Sequence, residues 1–179
     1  MFDGHNLFFD STATYGTCWG LKEYCDAHPN WIIAAPECNH EGNKRLEEYC
    51  PYQSDWFGGI TGTGHEYMEW LTKEFKPMVD KRYPTLPGRA NTAIGGSSMG
   101  GLMSLYALLQ YNEVFSRAAA LSPSIWVSPE KLSGLVGRAK LAPGTVLYMD
   151  YGSREMGNHD GMRCGFAETV SYTHLRAHE

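Results

Sequence analysis

The chain has no CxxC pair, no Walker-type lysine loop, no long apolar run and no block of basic residues, and each absence closes a class of function. Without CxxC spacing a thioredoxin-like redox role is disfavoured. The five cysteines, Cys18, Cys25, Cys38, Cys50 and Cys164, form an odd, scattered set that reads as free thiols, and a cytoplasmic setting is expected. A phosphate-loop enzyme is disfavoured by the missing lysine pattern. No apolar stretch approaches the length of a membrane span, and no basic segment followed by an apolar one opens the chain. The balance of 20 acidic against 15 basic residues, a net charge of −5, offers no patch for nucleic acid or anionic lipid. The partner expected is a small neutral or cationic molecule, and oligomeric state is left open. A metal reading of Glu37-Cys38-Asn39-His40-Glu41 is available at first glance, but no second cluster of ligands accompanies it. His40 therefore reads as part of a polar rim with Glu37, Glu41, Lys44 and Arg45, and neither metal nor cofactor is expected.

What is present is concentrated in residues 92–111, TAIGGSSMGGLMSLYALLQY. Ser98 is centred in Gly96-Ser97-Ser98-Met99-Gly100, the G-x-S-x-G pattern of a strand that turns sharply into a helix. Glycines two residues either side let strand and helix approach closely while the serine oxygen stays exposed on a strained turn. The helix start adds its field and its first amides, and Met99 N–H stands where one donor of an oxyanion hole belongs. Ser97 as nucleophile would break that register.

Around this turn the pattern alternates. Residues 17–27 carry Trp19, Leu21 and Tyr24 at helical spacing, and Trp31 to Ala35 reads as a short buried strand ending at Pro36. Residues 37–64 read as an irregular excursion, and 65–80 as a helix. Strands are expected at 92–95, 118–121 and 145–150, with helices after Ser98 and from Pro129 to Ala139. This is a parallel α/β order, whose functional groups gather beyond the carboxyl ends of the strands.

A serine nucleophile needs a histidine base and usually a carboxylate behind it. Glu155, just beyond the strand ending at Asp150, is the expected acid, with Asp150 and Asp160 weaker choices. His159 and His5 are poor bases, and His28 and His65 read as structural. Tyr49, Tyr52, Trp56, Phe57 and Trp126 could wall a substrate pocket or simply pack the loop.

The segments MFDGHNLFFD, AAPECNH, IGGSSMGGLMSLYAL, LSPSIW and YMDYGSRE together resemble the esterase D and enterochelin-esterase-like group of the α/β-hydrolase superfamily. The resemblance spans nearly all of residues 1–169 and implies a partial α/β-hydrolase fold, a mostly parallel sheet with flanking helices. It implies a serine carboxylesterase in which Ser98 forms an acyl-enzyme, Glu155 is the acid, and Gly4 or His5 gives the second oxyanion amide beside Met99. Trp56, Trp126 and His40 are the expected substrate contacts, and the partner implied is a small-molecule ester. An acyltransferase using the same serine is one alternative; an inactive fragment that only binds or scaffolds is another. The family's histidine lies in a glycine-rich loop well after the acid, which nothing here matches, so the base and the upstream strands are expected to be missing. Residues 170–179, VSYTHLRAHE, have neither strand alternation nor a helix pattern and resemble a translated sequencing-adapter end. They are expected to be non-native.

Overall fold

The computed structural model describes residues 1–152. Three parallel strands, β1 (Ala93–Ser97), β2 (Arg117–Leu121) and β3 (Val146–Asp150), lie side by side in chain order. Their register sets Ser97 opposite Leu121 and Leu121 opposite Asp150, so the three carboxyl ends finish level. Parallel neighbours need crossovers. Those are supplied by α5 (Met99–Gln110) between β1 and β2 and by α6 (Pro129–Arg138) between β2 and β3. The earlier helices are α1 (Leu21–Ala27), α2 (Lys44–Glu48), α3 (Gly64–Trp70) and α4 (Lys76–Arg82).

Every residue from Met99 to Leu109 is buried, as expected of a helix apolar nearly all round. Inward-facing Ile94, Ala118, Ala120, Leu147 and Met149 meet it from the sheet. Because β2 reads Arg-Ala-Ala-Ala-Leu, its small side chains leave room for α5 against the sheet. The opposite face is less covered, with Val146 and Tyr148 about half exposed.

The chain's first residues are tied by single backbone bonds to β1 and to the stretch around Ala34. Phe2 N–H donates to Gly95 O at 2.9 Å, the Met1 amino group donates to Ala34 O at 2.8 Å, and Gly4 N–H donates to Pro36 O at 3.1 Å. The Asp3-Gly4-His5 turn is thereby delivered beside the end of β1.

Two expectations are corrected. Residues 31–35 form no regular strand, and Trp31 and Ile32 are about half exposed. Only carbonyls of this stretch engage the first residues, and Pro36 has no N–H with which to continue a ladder. The helix expected at 65–80 runs instead from Gly64 to Arg82, through a π turn at Leu71–Phe75. Pro77 lacks the N–H of a regular turn and crowds the carbonyl four residues back. The wider turn, closed by Lys76 N–H on Leu71 O, accommodates it.

Candidate active site

Ser98 occupies the junction of β1 and α5 with φ 55° and ψ −119°, backbone angles that side-chain-bearing residues rarely adopt. Four bonds over-determine this conformation. Ser98 N–H donates to Leu121 O at 3.0 Å; its carbonyl accepts from Leu102 N at 2.9 Å and from Ser124 N at 3.0 Å; and its Oγ lies 3.1 Å from Ser124 Oγ. Ser98 is exposed while Met99 and Gly100 behind it are buried. A Cβ on Gly96 would sit 2.8 Å from the Gly100 carbonyl carbon, so the glycine spacing of the motif is a direct backbone contact. The first intrahelical bond, Leu102 to Ser98, leaves the amides of Met99, Gly100 and Gly101 without an intrahelical acceptor at the helix start.

The neighbouring turn is held from below. Asp3 adopts a left-handed conformation, φ 54° and ψ 57°, and its buried carboxylate takes two bonds from Arg45: Nε to Oδ1 at 2.7 Å and Nη2 to Oδ2 at 2.8 Å. Asp3 N–H donates to the Tyr49 hydroxyl at 3.2 Å, and burial pushes the Tyr49 phenol far above its usual ionisation range, so it stays a neutral acceptor. The Arg45 guanidinium lies 5.3 Å from the Tyr49 ring centre. Arg45 thus turns inward to Asp3 and is no part of a polar entrance. Sequence reading missed this support, whose one signal was an aspartate inside the otherwise apolar opening Met-Phe-Asp-Gly. Gly4 N–H is committed to Pro36 O, whereas His5 N–H has no acceptor among the described residues.

The aromatic residues also converge. Trp126 meets Trp56 edge to face at 4.9 Å and Phe57 at 5.7 Å, two residues after Ser124, whose hydroxyl touches Ser98. Ser54 Oγ donates to Val127 O at 2.8 Å, tying the two loops together. His40 packs edge to face with His5 at 4.7 Å.

Among the described residues no histidine nitrogen is hydrogen-bonded to Ser98. His5 Nε2 is 3.1 Å from Thr14 Oγ1, His28 Nδ1 is 2.8 Å from Tyr24 O, and His65 Nδ1 is 3.1 Å from the Tyr111 hydroxyl. Asp150 accepts from Ser122 N and from the Tyr148 hydroxyl, each at 3.0 Å, which engages both of its oxygens in bracing strand ends. Glu155, Asp160 and His159 lie outside the described residues, as do Cys164 and the segment 170–179. The described cysteines are free thiols, and no described helix is long and apolar enough to cross a membrane.

Solved structures with similar architecture include esterases. The siderophore hydrolase EstA from Aspergillus nidulans superposes with a TM-score of 0.64 at 21% identity, over 97% of this chain and 70% of that one. The enterobactin esterase FES from Shigella flexneri gives 0.64 at 19% identity, over 87% of this chain and 39% of that one. These likenesses establish the α/β-hydrolase type of fold. In sequence, the uncharacterized protein YbbA of Bacillus subtilis (strain 168) is 31% identical over 120 residues, 64% of this chain. The chain spans about half the length of that curated relative, 47% of it. The family described as Putative esterase matches residues 2–162 of the 179, and the chain belongs to that family.

Proposed function

We propose that the protein is a serine carboxylesterase that works through an acyl-enzyme on Ser98. The observation that carries this reading is the Ser98 turn itself, an exposed hydroxyl on a strained backbone at a helix start. Strain held by four hydrogen bonds presents the oxygen without a reorganisation cost at the moment of attack. The developing oxyanion would be met by Met99 N–H and, from the neighbouring turn, by His5 N–H. The commitment of Gly4 N–H to Pro36 supports His5 over Gly4 as that second donor.

The base in this reading is a histidine outside the described residues, oriented by Glu155. It takes the Ser98 proton on attack and returns it to the departing alcohol, and water then releases the acid. The shelf of Trp56, Phe57 and Trp126 beside Ser124 supports an ester with an apolar or aromatic portion. That the fold neighbours are an enterobactin esterase and a siderophore hydrolase is consistent with such a substrate.

The test is hydrolysis of aryl esters by the uninterrupted reading frame containing this chain, as wild type, Ser98→Ala and Glu155→Ala. Ser98→Ala should lower kcat/KM by about 10³-fold or more, and an activated phosphonate should label Ser98 and no other serine. Equal turnover by wild type and Ser98→Ala would sink the reading.

A further inference from the structure

Two loops that are distant in sequence bring three metal-ligating side chains together next to the Asp3-Gly4-His5 turn. One imidazole nitrogen each from His5 and His40 and the Cys38 thiol all lie within 4.8 Å of one another. The spatial cluster was invisible as a motif because its third member lies over thirty positions upstream of the other two.

Three features fit a ligand set better than a chance meeting. The loops are fixed: Gly4 N–H holds Pro36 O at 3.1 Å, Asn39 N–H holds Glu48 Oε2 at 2.9 Å, and Glu41 N–H holds Asn39 Oδ1 at 2.9 Å. His5 has one ring nitrogen, Nε2, on the Thr14 hydroxyl, while Nδ1 is buried without a protein partner. With Nε2–H donating to Thr14, Nδ1 carries a bare lone pair, the arrangement in which ligating histidines are held by their outer partners. A buried polar atom left unpaired costs about 1–3 kcal/mol and calls for a physical reason. The third feature is chemical: two imidazoles and a sulfur suit a borderline-soft cation and not magnesium or calcium, which take oxygen.

We propose that His5, Cys38 and His40 form a Zn²⁺ site, completed by a water in the fourth position. With Zn–N near 2.0–2.1 Å and Zn–S near 2.3 Å, ligand atoms around a tetrahedral ion stand about 3.3–3.6 Å apart. The cluster must therefore close by about 1–1.5 Å at most, with His40 exposed, His5 partly buried and Cys38 buried. Burial, reinforced by the charge of Asp3, pushes the Cys38 thiol up to about 11. On binding, the Zn–S bond forms as the thiol proton leaves to solvent. The ion would staple the His5 turn to the 37–41 loop, fixing the amide assigned above to the oxyanion. The site stands independently of that assignment, because its test reads the metal and not ester turnover.

The test uses Co²⁺ as a spectroscopic stand-in for Zn²⁺ on the 179-residue chain. One equivalent of Co²⁺ should give tetrahedral d–d bands and a thiolate-to-cobalt charge-transfer band, both erased by Zn²⁺. Cys38→Ser should remove the charge-transfer band, His40→Ala should weaken binding at least about tenfold, and Ser98→Ala should change neither. Because His40 is exposed, His40→Ala keeps the question decidable if Cys38→Ser does not fold. A missing charge-transfer band overturns the proposal. So does a band that survives Cys38→Ser or that disappears in Cys164→Ser.

Discussion

At Ser98, availability of the hydroxyl depends on two residues that carry no side chain. Gly96 and Gly100 touch through their backbones, so a methyl group added at Gly96 has no rotamer by which to escape. Gly96→Ala should cost about 1–3 kcal/mol of stability and slow phosphonate labelling of Ser98 at least tenfold, read by thermal unfolding and mass spectrometry. Gly137, near the end of α6 with open space around it, provides the control. Gly137→Ala should leave labelling untouched and stabilise the helix by about 0.5–1 kcal/mol. If both alanines behave alike, the elbow is not held by close backbone contact.

Among the elements, α2 has an importance out of proportion to its five residues, because it carries the arginine that neutralises Asp3. Removing one member of such a pair strands a charge in the interior. Arg45→Met should therefore cost about 3–5 kcal/mol in urea unfolding, and adding Asp3→Asn should restore much of the loss. A cost below about 1 kcal/mol for Arg45→Met would show instead that water reaches the carboxylate. The contrast between α2 and α5 also shows what could be read from the chain in advance. The three sheet strands and α5 were legible from apolar runs bounded by glycine, proline and serine, whereas the same kind of run at 31–35 was misread because Trp31 and Ile32 stay about half exposed. The sharp turn at Ser98 was legible because its glycine spacing is itself the contact. Lys-Arg-Leu-Glu-Glu carries too little periodicity to announce a helix, and the inward turn of Arg45 depends on a partner 42 residues away. The π turn ahead of Pro77 was missed because the apolar face continues across it, hiding the break in backbone bonding. Glu155 was read from its place after a strand, which the described residues do not reach.

For the whole molecule, the carboxyl ends of the three parallel strands finish level, and the turn at Ser98 lies at that edge, where the function proposed above puts the chemistry. Parallel sheets are ordinarily covered on both faces, yet among the described residues α5 covers one and leaves Val146 and Tyr148 half exposed on the other. The seam between the first residues and the stretch around Ala34 has an electrical consequence. The Met1 ammonium is held against Ala34 O, and burial pushes its ionisation down from 8.0 to about 6. Folding therefore favours the uncharged amine. The resulting penalty, about 2–3 kcal/mol, is fully present below pH ~6, shrinks as pH rises, and vanishes above pH ~8. Any residue joined ahead of Met1 replaces that base with a neutral amide donating to the same oxygen. A chain extended by Gly-Ser should then exceed the unextended one in stability at pH 6 and match it at pH 8.5, with the difference in urea midpoints as the measure. A constant difference across that range would mean that the amine is solvated. The seam between Met1 and Ala34 would thus sense whether a peptide bond precedes it.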